Sequence, residues 1–321
     1  MNNKKLAPIC LFVYDRIDET RQTILALKNN FLAKSSELFI FSDGWNNVET
    51  REKILALRIF LNEIKGFKKI SIFESAVNKG LAKSIIDGVT LVLEKNAKVI
   101  VLEDDLITTP NFLDFMNKSL NFYEDHKDIQ SISGYSLKIK RKSHNSDIYF
   151  SRRPHSWSWA TWSKNWHKDL FDTNELKEDL TKNKLMLFKE ICGQDISEML
   201  VNSIVGLNDS WYVRWVYNHF KNEKYSVYPY YSKVKNIGFS DNGTHCHGIN
   251  VYVSEMDLGL NRNFNFIDYT KNLKSEKEFL TYFSLKYKLK FRIRLLFNNE
   301  GRKLLREEIS RIIIRKYERV F

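Results

Sequence analysis

The 321-residue chain is 43% hydrophobic and 14% aromatic, which supplies a core for one large domain or for a domain with an appendage. Few glycines (12) and prolines (4) argue against a collagen-like or disordered chain, and three distant cysteines predict no disulfide framework and a reducing compartment. The net charge is +12, and most of it lies after Ser284, where twelve lysines and arginines accompany four glutamates.

The sequence shows neither a secretory signal nor an apolar run long enough to cross a membrane. We therefore expect a cytoplasmic protein, with peripheral attachment to the inner face of the cell membrane as an alternative. Abundant Lys, Asn and Ile favour a bacterial source with an AT-rich genome.

Apolar runs and segments of helical period alternate up to residue 135. The runs predict strands over 8–13, 38–42, 69–74, 99–102 and 129–133. The periodic segments predict helices over 20–29, 48–64, 81–95 and 111–123, the first with Asp18 as a candidate N-cap. This alternation predicts an α/β fold with a mostly parallel sheet flanked by helices. After residue 135 the alternation fades, and helical signal returns over 285–321, with a break near Asn298-Asn299.

Polar residues follow each of the first four predicted strands. In parallel sheets of this kind, ligands bind beyond the carboxyl ends of the strands. One edge of the sheet is therefore expected to gather these groups: Tyr14-Asp15-Arg16, Ser42-Asp43-Gly44, Glu74-Ser75 and Glu103-Asp104-Asp105.

Three adjacent carboxylates, Glu103, Asp104 and Asp105, follow the fourth strand. A divalent cation would relieve their mutual repulsion, because carboxylate oxygens suit Mg²⁺ and Mn²⁺. The spacing alone equally allows an exposed acidic turn ahead of the helix that begins near Pro110.

An ordered series of motifs extends around this triplet. FVYDR ends the first strand, FSDG ends the second, VNKGLAKSIIDGV (77–89) precedes the triplet, and SWSWATW (156–162) and NIGFSDNGTH (236–245) follow it. The series resembles the GT-A-fold glycosyltransferases, most closely the family-two-like bacterial sugar transferases and the N-acetylglucosaminyltransferase I group. The resemblance implies a GT-A, Rossmann-like catalytic domain over 1–250. Its nucleotide-sugar half would cover 1–135, its acceptor half 136–250, and a C-terminal extension with basic amphipathic helices 251–321.

The resemblance also implies site residues. Those expected to bind a nucleotide-diphosphate sugar are Tyr14, Arg16, Asp43, Lys79, Gly80, Glu103 and Asp104. Asp43 would accept from the base, and Gly80 would let the backbone come close to the ribose or diphosphate. Asp105 would ligate Mn²⁺ or Mg²⁺, with His245 as a further ligand and His247 as its rival. The triplet is Glu-Asp-Asp rather than Asp-x-Asp, which leaves the share of Glu103 open.

The acceptor half offers aromatic and acidic candidates. Trp157 and Trp159 are our choices for sugar contacts, although Trp is more often buried for packing. Many relatives carry Gly between these two tryptophans, where this chain has Ser158. Inverting transfer needs a general base, for which Asp209 and Asp195 are the candidates; Asp209 could instead be an ordinary N-cap.

The basic tail over 285–321 mixes aliphatic residues with Lys and Arg. This pattern suits an interfacial helix on an anionic membrane, while a helix packed on the catalytic domain is the alternative. Nothing in the sequence resembles a nucleic-acid-binding motif.

The favoured function is metal-dependent inverting transfer of a hexosyl or N-acetylhexosaminyl group. The acceptor would be a glycan or lipid-linked glycan in surface polysaccharide or glycoconjugate synthesis. One alternative is a sugar-nucleotide pyrophosphorylase-like enzyme. Such an enzyme is expected to have a Gly-rich phosphate loop after the first strand, where this chain has Tyr14-Asp15-Arg16. The other is a non-catalytic module that binds glycan or membrane.

Overall fold

The structure is a computed structural model that describes residues 5–141, 145–239, 249–252, 254–270 and 273–318. Its strands are β1 (Ile9–Val13), β2 (Glu37–Ser42), β3 (Lys69–Glu74), β4 (Lys98–Glu103), β5 (Leu106–Thr108), β6 (Ile129–Ser133), β7 (Ile148–Ser151), β8 (Trp159–Trp162), β9 (Tyr225–Pro229) and β10 (Val234–Asn236).

Helices follow the strands through the first half and dominate the C-terminal part. They are α1 (Ile17–Lys28), α2 (Val48–Asn62), α3 (Leu81–Leu93), α4 (Phe112–Phe122), α5 (Thr173–Asp179), α6 (Lys182–Cys192), α7 (Ile196–Ile204), α8 (Trp211–Lys221), α9 (Leu273–Thr281), α10 (Leu285–Leu295) and α11 (Asn299–Glu318).

Eight strands form one sheet in the order β3-β2-β1-β4-β8-β6-β9-β7. The first four of these are parallel, and β8 lies antiparallel between β4 and β6. The expected α/β class with a mostly parallel central sheet is therefore confirmed, as is the helical C-terminal part. A separate two-stranded ribbon pairs β5 with β10, so the segment just after the triplet meets the segment that precedes residue 239.

Both faces of the central strands β1 and β4 are buried, and their neighbouring residues alternate between two cores. Along β1, Ile9, Leu11 and Val13 join the core beneath α1, α2 and α4. Cys10 and Phe12 join the other core, which α3 and α8 cover. This is why the central strands read as continuous apolar runs rather than alternating ones.

The helix bounds follow local signals. Helix α2 begins after Asn47, whose side chain accepts from the Thr50 amide at 2.8 Å. The Thr50 side chain in turn accepts from the Asn47 amide, and the two hydrogen bonds form a capping box. Helix α1 begins at Ile17 rather than Thr20, so Asp18 lies in its first turn and is not the N-cap. The break between α10 and α11 spans Leu296 to Asn298, next to where the sequence predicts it.

The region where the sequence signal fades carries a third, smaller core. Helices α5, α6, α7 and α8 enclose it, around Phe188, Leu200 and Tyr217. Part of the expected C-terminal extension also belongs to the main core, since Phe279 and Phe283 are 0% and 2% exposed there. The main body therefore continues through the end of α9.

The buried His219 makes stability depend on pH. Its ring is 0% exposed, with Nε2 2.9 Å from Ser131 Oγ and Nδ1 3.0 Å from Trp215 O. Burial lowers the pKa of His219 to about 3, so the ring stays neutral in the fold. Between about pH 6.5 and pH 3, the ring is protonated in the unfolded chain, where its pKa is about 6.5, and neutral in the folded protein.

We expect stability contributed by neutral His219 to be full above about pH 6.5 and lost as the pH falls toward 3. The slope from this group approaches about 1.4 kcal/mol per pH unit. His219→Gln should lower stability at pH 7 but reduce its decline between pH 6.5 and 4, measured by urea unfolding. An unchanged slope would contradict the assignment.

Candidate active site

The carboxyl ends of β1, β2, β3 and β4 meet at one edge of the sheet. The register aligns Phe12 with Glu103, and Ser42 lies opposite Val13 on one side and Glu74 on the other. The polar residues that follow these strands are therefore side by side, as the parallel arrangement predicts.

One guanidinium contacts two carboxylates of the triplet. Arg16 Nη1 donates to Asp105 Oδ2 at 3.1 Å, and Arg16 Nη2 is hydrogen-bonded to Asp104 Oδ1. The Tyr14 amide also donates to Asp104 Oδ2 at 3.4 Å, and Thr23 Oγ1 donates to the Asp104 carbonyl at 2.8 Å. The structure thus joins four of the predicted donor residues, counting Glu103 at the end of β4.

Burial and mutual repulsion disfavour the charged forms of the three carboxylates. Burial raises the pKa of Glu103 to about 8, and the neighbouring Asp105 and Asp104 add to the rise. Burial also raises the pKa of Asp104 to about 7 and raises that of Asp105, although Arg16 opposes both shifts. One guanidinium does not compensate three adjacent carboxylates, two of which are buried, so the site favours a further cation or partial protonation.

Asp43 organises the loop that precedes α3. Its carboxylate accepts from the Lys79 amide at 2.9 Å and from the Gly80 amide at 2.9 Å. Gly80 is the N-cap of α3 at φ +77°, a conformation that favours glycine, and a Cβ there would meet nothing within 4 Å. The loop therefore presents open space beside Gly80, and Asp43 is engaged by backbone amides within the protein.

Arg58 is a positioning residue that the sequence reading missed. Its Nη2 donates to the carbonyls of Asp43 at 3.1 Å and Ser75 at 2.8 Å, which links the loops after β2 and β3. The available signal was an Arg on the apolar stripe of α2, four residues after Ile54 and three before Leu61.

Gly238, which packs directly against Asp105, is a second residue that the sequence did not indicate. The Ile237 amide donates to the Asp105 carbonyl at 2.9 Å, which holds this segment against the turn. A Cβ on Gly238 would lie 2.0 Å from Asp105 Oδ2 and 3.0 Å from Arg16 Nη1. Only glycine fits this close approach.

The expected metal ligand His245 lies outside the described residues, as does His247. In the segment that precedes these two histidines, the structure describes residues up to Gly238 and Phe239. Among described side chains, no group of three or more His, Cys, Asp or Glu could hold a metal ion.

The aromatic motif bends at Ser158. This serine adopts φ +60°, a conformation that favours glycine, and its buried Oγ has no hydrogen-bond partner. Trp157 is 8% exposed and packs on Tyr135 with ring centroids 4.7 Å apart. Trp157 precedes β8, whose first residue, Trp159, pairs with Val101 two residues before the end of β4.

Trp159 does not fit the expected sugar contact. Its ring is 1% exposed and packs against Trp166, Trp211 and Trp215, at 5.3, 5.3 and 5.8 Å between centroids. The pleat of β8 turns this side chain into the core beneath α3 and α8. We therefore correct its assignment from acceptor contact to core packing.

The two candidate bases have different surroundings. The Asp195 carboxylate accepts from Arg153 Nη1 at 2.7 Å and Nη2 at 3.2 Å. Burial alone would raise the pKa of Asp195, but the Arg153 guanidinium holds it below its ordinary value. Asp195 is therefore a charged ion-pair partner of a buried arginine, a role that explains it without catalysis.

Asp209 is 65% exposed and accepts from Arg214 Nη2 at 2.6 Å. It is not the N-cap of α8, because Ser210 occupies that position and accepts from the Val213 amide at 3.4 Å. With Lys83 on α3, Asp209 lines a cleft of about 330 Å³ between α3, α8 and the turn near Phe171.

No protein-family model and no curated protein sequence matches the chain. Among solved structures, a mannosyltransferase from Pyrobaculum calidifontis with GDP-Man and Mn²⁺ is 10% identical, with a TM-score of 0.33 over 50% of this chain and 45% of that one. A UDP-glucose pyrophosphorylase with UDP-glucose is 11% identical, with a TM-score of 0.34 over 72% and 92%. S. aureus TarS 1–349 is 10% identical, with a TM-score of 0.32 over 52% and 49%. The chain thus spans about half the length of two of these proteins.

We expect Gly238→Ala to destabilise the fold by about 1–3 kcal/mol, because the new Cβ overlaps Asp105 Oδ2. In an Asp105→Ala background the overlapping atoms are gone, so the same change should cost much less. Urea unfolding of the four proteins in this double-mutant cycle measures the coupling. Equal costs in both backgrounds would show that Gly238 is constrained by something else.

Proposed function

We propose that this protein is a glycosyltransferase that moves a hexosyl or N-acetylhexosaminyl group from a nucleotide-diphosphate sugar. Transfer would depend on Mn²⁺ or Mg²⁺ and invert the anomeric configuration. The acceptor would be a glycan or lipid-linked glycan in the synthesis of a surface polysaccharide or glycoconjugate. The observation that carries the proposal is the position of Glu103, Asp104 and Asp105 at the carboxyl edge of a buried parallel sheet, with one guanidinium between them.

The chemistry of the triplet fits a divalent cation. Its hard carboxylate oxygens carry more negative charge than Arg16 offsets. Mg²⁺ is usually held by one or two carboxylates together with substrate phosphates, so a protein site of few ligands suits it. We assign Asp105 as the protein ligand, joined by His245, which follows the Asp105 neighbour Gly238 by seven residues. The ion, when bound, would stabilise charge on the departing nucleoside diphosphate.

The loop before α3 supports donor binding. Asp43 fixes the Lys79 and Gly80 amides, and the space beside Gly80 is open at a helix N-terminus, where anions bind favourably. The Tyr14 hydroxyl is buried without a hydrogen-bond partner, which a ligand hydroxyl or phosphate would satisfy. In this proposal Asp43 acts by shaping the loop, and contact with the base is a second role.

Asp209 is the proposed general base. An exposed carboxylate in a polar cleft can accept the proton of an acceptor hydroxyl, and its Arg214 contact would orient it. Asp195, the second candidate, would have to leave its ion pair with Arg153 to do so. Trp157 is the remaining aromatic candidate for the acceptor sugar.

The direct test is a panel of nucleotide sugars supplied with Mn²⁺ and glycan acceptors. A transferase releases nucleoside diphosphate in step with acceptor glycosylation. Nucleoside triphosphate formed from pyrophosphate would instead identify a pyrophosphorylase-like enzyme. Binding without turnover of any donor would indicate a non-catalytic module, and either of these results would overturn the proposal.

We expect Asp105→Asn to lower the affinity for a nucleoside diphosphate in Mn²⁺ by about tenfold or more, because the charge that holds the cation is lost. In chelator the variant and the native protein should bind equally. Titration calorimetry measures both, with Asp268→Asn as the control, since that side chain is 85% exposed. Native affinity that is indifferent to chelator would contradict the metal assignment.

We expect Asp209→Asn to lower kcat about 10²-fold or more with little change in donor binding, because the base acts on the acceptor proton. Asp195→Asn should instead cost about 1–3 kcal/mol of stability, since Arg153 loses its charged partner. Steady-state kinetics and thermal unfolding of both variants separate the roles. The reverse pattern would make Asp195 the base.

A further inference from the structure

Helix α10 leaves a row of large apolar side chains uncovered. None of its residues is buried. Leu285, Leu289 and Ile293, spaced four residues apart within α10, are 75%, 62% and 46% exposed, and Phe297, in the turn that follows α10, is 82% exposed. Residues at this spacing lie along one face of a helix, so the three helical side chains form a continuous row rather than scattered single residues. We call these three side chains and Phe297 the α10 stripe.

The stripe belongs to a defined helical pair. The chain leaves the body after Phe283, which is 2% exposed, and Ser284 caps α10 by accepting from the Tyr287 amide at 3.2 Å. Arg292 then donates to both carboxylate oxygens of Glu308 on α11, at 2.9 and 2.7 Å. This bidentate contact fixes the orientation of α10 relative to α11.

The charged residues of α10 itself are all basic, and four of its five cations are not part of the Arg292–Glu308 pair. Five cations and no acidic residue occur within α10: Lys286, Lys288, Lys290, Arg292 and Arg294. The cores of protein–protein interfaces are depleted of charge, so a cation at every second position disfavours a protein partner. Long basic side chains can instead lay their methylene stems along an apolar layer and reach anionic headgroups.

We propose that the α10 stripe binds the surface of an anionic lipid bilayer, with its aliphatic and aromatic side chains in the acyl boundary and its basic flanks on the headgroups. Each basic residue contributes to the attraction, and the attraction falls with salt. No helix among the described residues is long and apolar enough to cross a membrane, so the contact proposed is interfacial. This proposal does not depend on the transferase activity.

The test uses the full chain in co-sedimentation with vesicles of phosphatidylcholine, with and without phosphatidylglycerol. We expect binding only to the anionic vesicles, weakening as salt rises from about 0.1 M to about 1 M, where the screening length falls from about 10 Å to about 3 Å. The double variant Leu289→Ser/Phe297→Ser should lower the constant for vesicle binding about a hundredfold, because two apolar side chains that the bilayer would bury are lost.

The matched control is Met186→Ser/Leu187→Ser on α6, where the same kind of change removes side chains that are 63% and 48% exposed. The control should bind vesicles as the native protein does, and both variants should keep the native midpoint of urea unfolding. Failure of the native protein to bind anionic vesicles would overturn the proposal. So would light scattering that shows a native dimer which only the α10 variant converts to monomer, since the stripe would then be an interface between copies.

Discussion

Repulsion among three carboxylates at the end of β4 is the constraint on which the site depends. The sheet sets Glu103, Asp104 and Asp105 at one edge, where Glu103 is half-buried and water cannot screen the two buried aspartates well. Arg16, carried by the turn after β1, meets two of the three. Gly238 then closes against Asp105 from a segment more than a hundred residues away in sequence. Such an arrangement is tolerable when a charged ligand completes it.

The rest of the molecule holds this edge rigid. Asp43 accepts hydrogen bonds from backbone amides of the neighbouring loops, and Arg58 donates to their backbone carbonyls. These loops are therefore held in place before a ligand binds. Behind the edge, Trp159 and its aromatic neighbours fill the core beneath α3. Such preorganisation favours binding of any ligand at this edge, because less freedom is lost on binding.

The sequence predicted the first half of the fold well, because buried strands and amphipathic helices leave strong periodic signals there. It predicted much less after residue 135, where β8 enters the sheet antiparallel between β4 and β6. The clustering of polar side chains at one edge was predictable where residues follow strands, and contacts between residues distant in sequence were less so. The Arg153–Asp195 pair and the burial of Trp159 are examples, since each depends on tertiary packing that no local pattern records.

Phe279 and Phe283 have a consequence for how the chain folds during synthesis. Phe279 packs on Tyr228 and Tyr149, with ring centroids 5.1 and 6.2 Å away, so the main core is completed by a segment that follows its last strand well along the sequence. A nascent chain still attached to the ribosome leaves those tyrosines uncovered until α9 emerges. Folding of this core is therefore completed only once α9 is available, and chains that lack α9 present aromatic surface to chaperones and proteases.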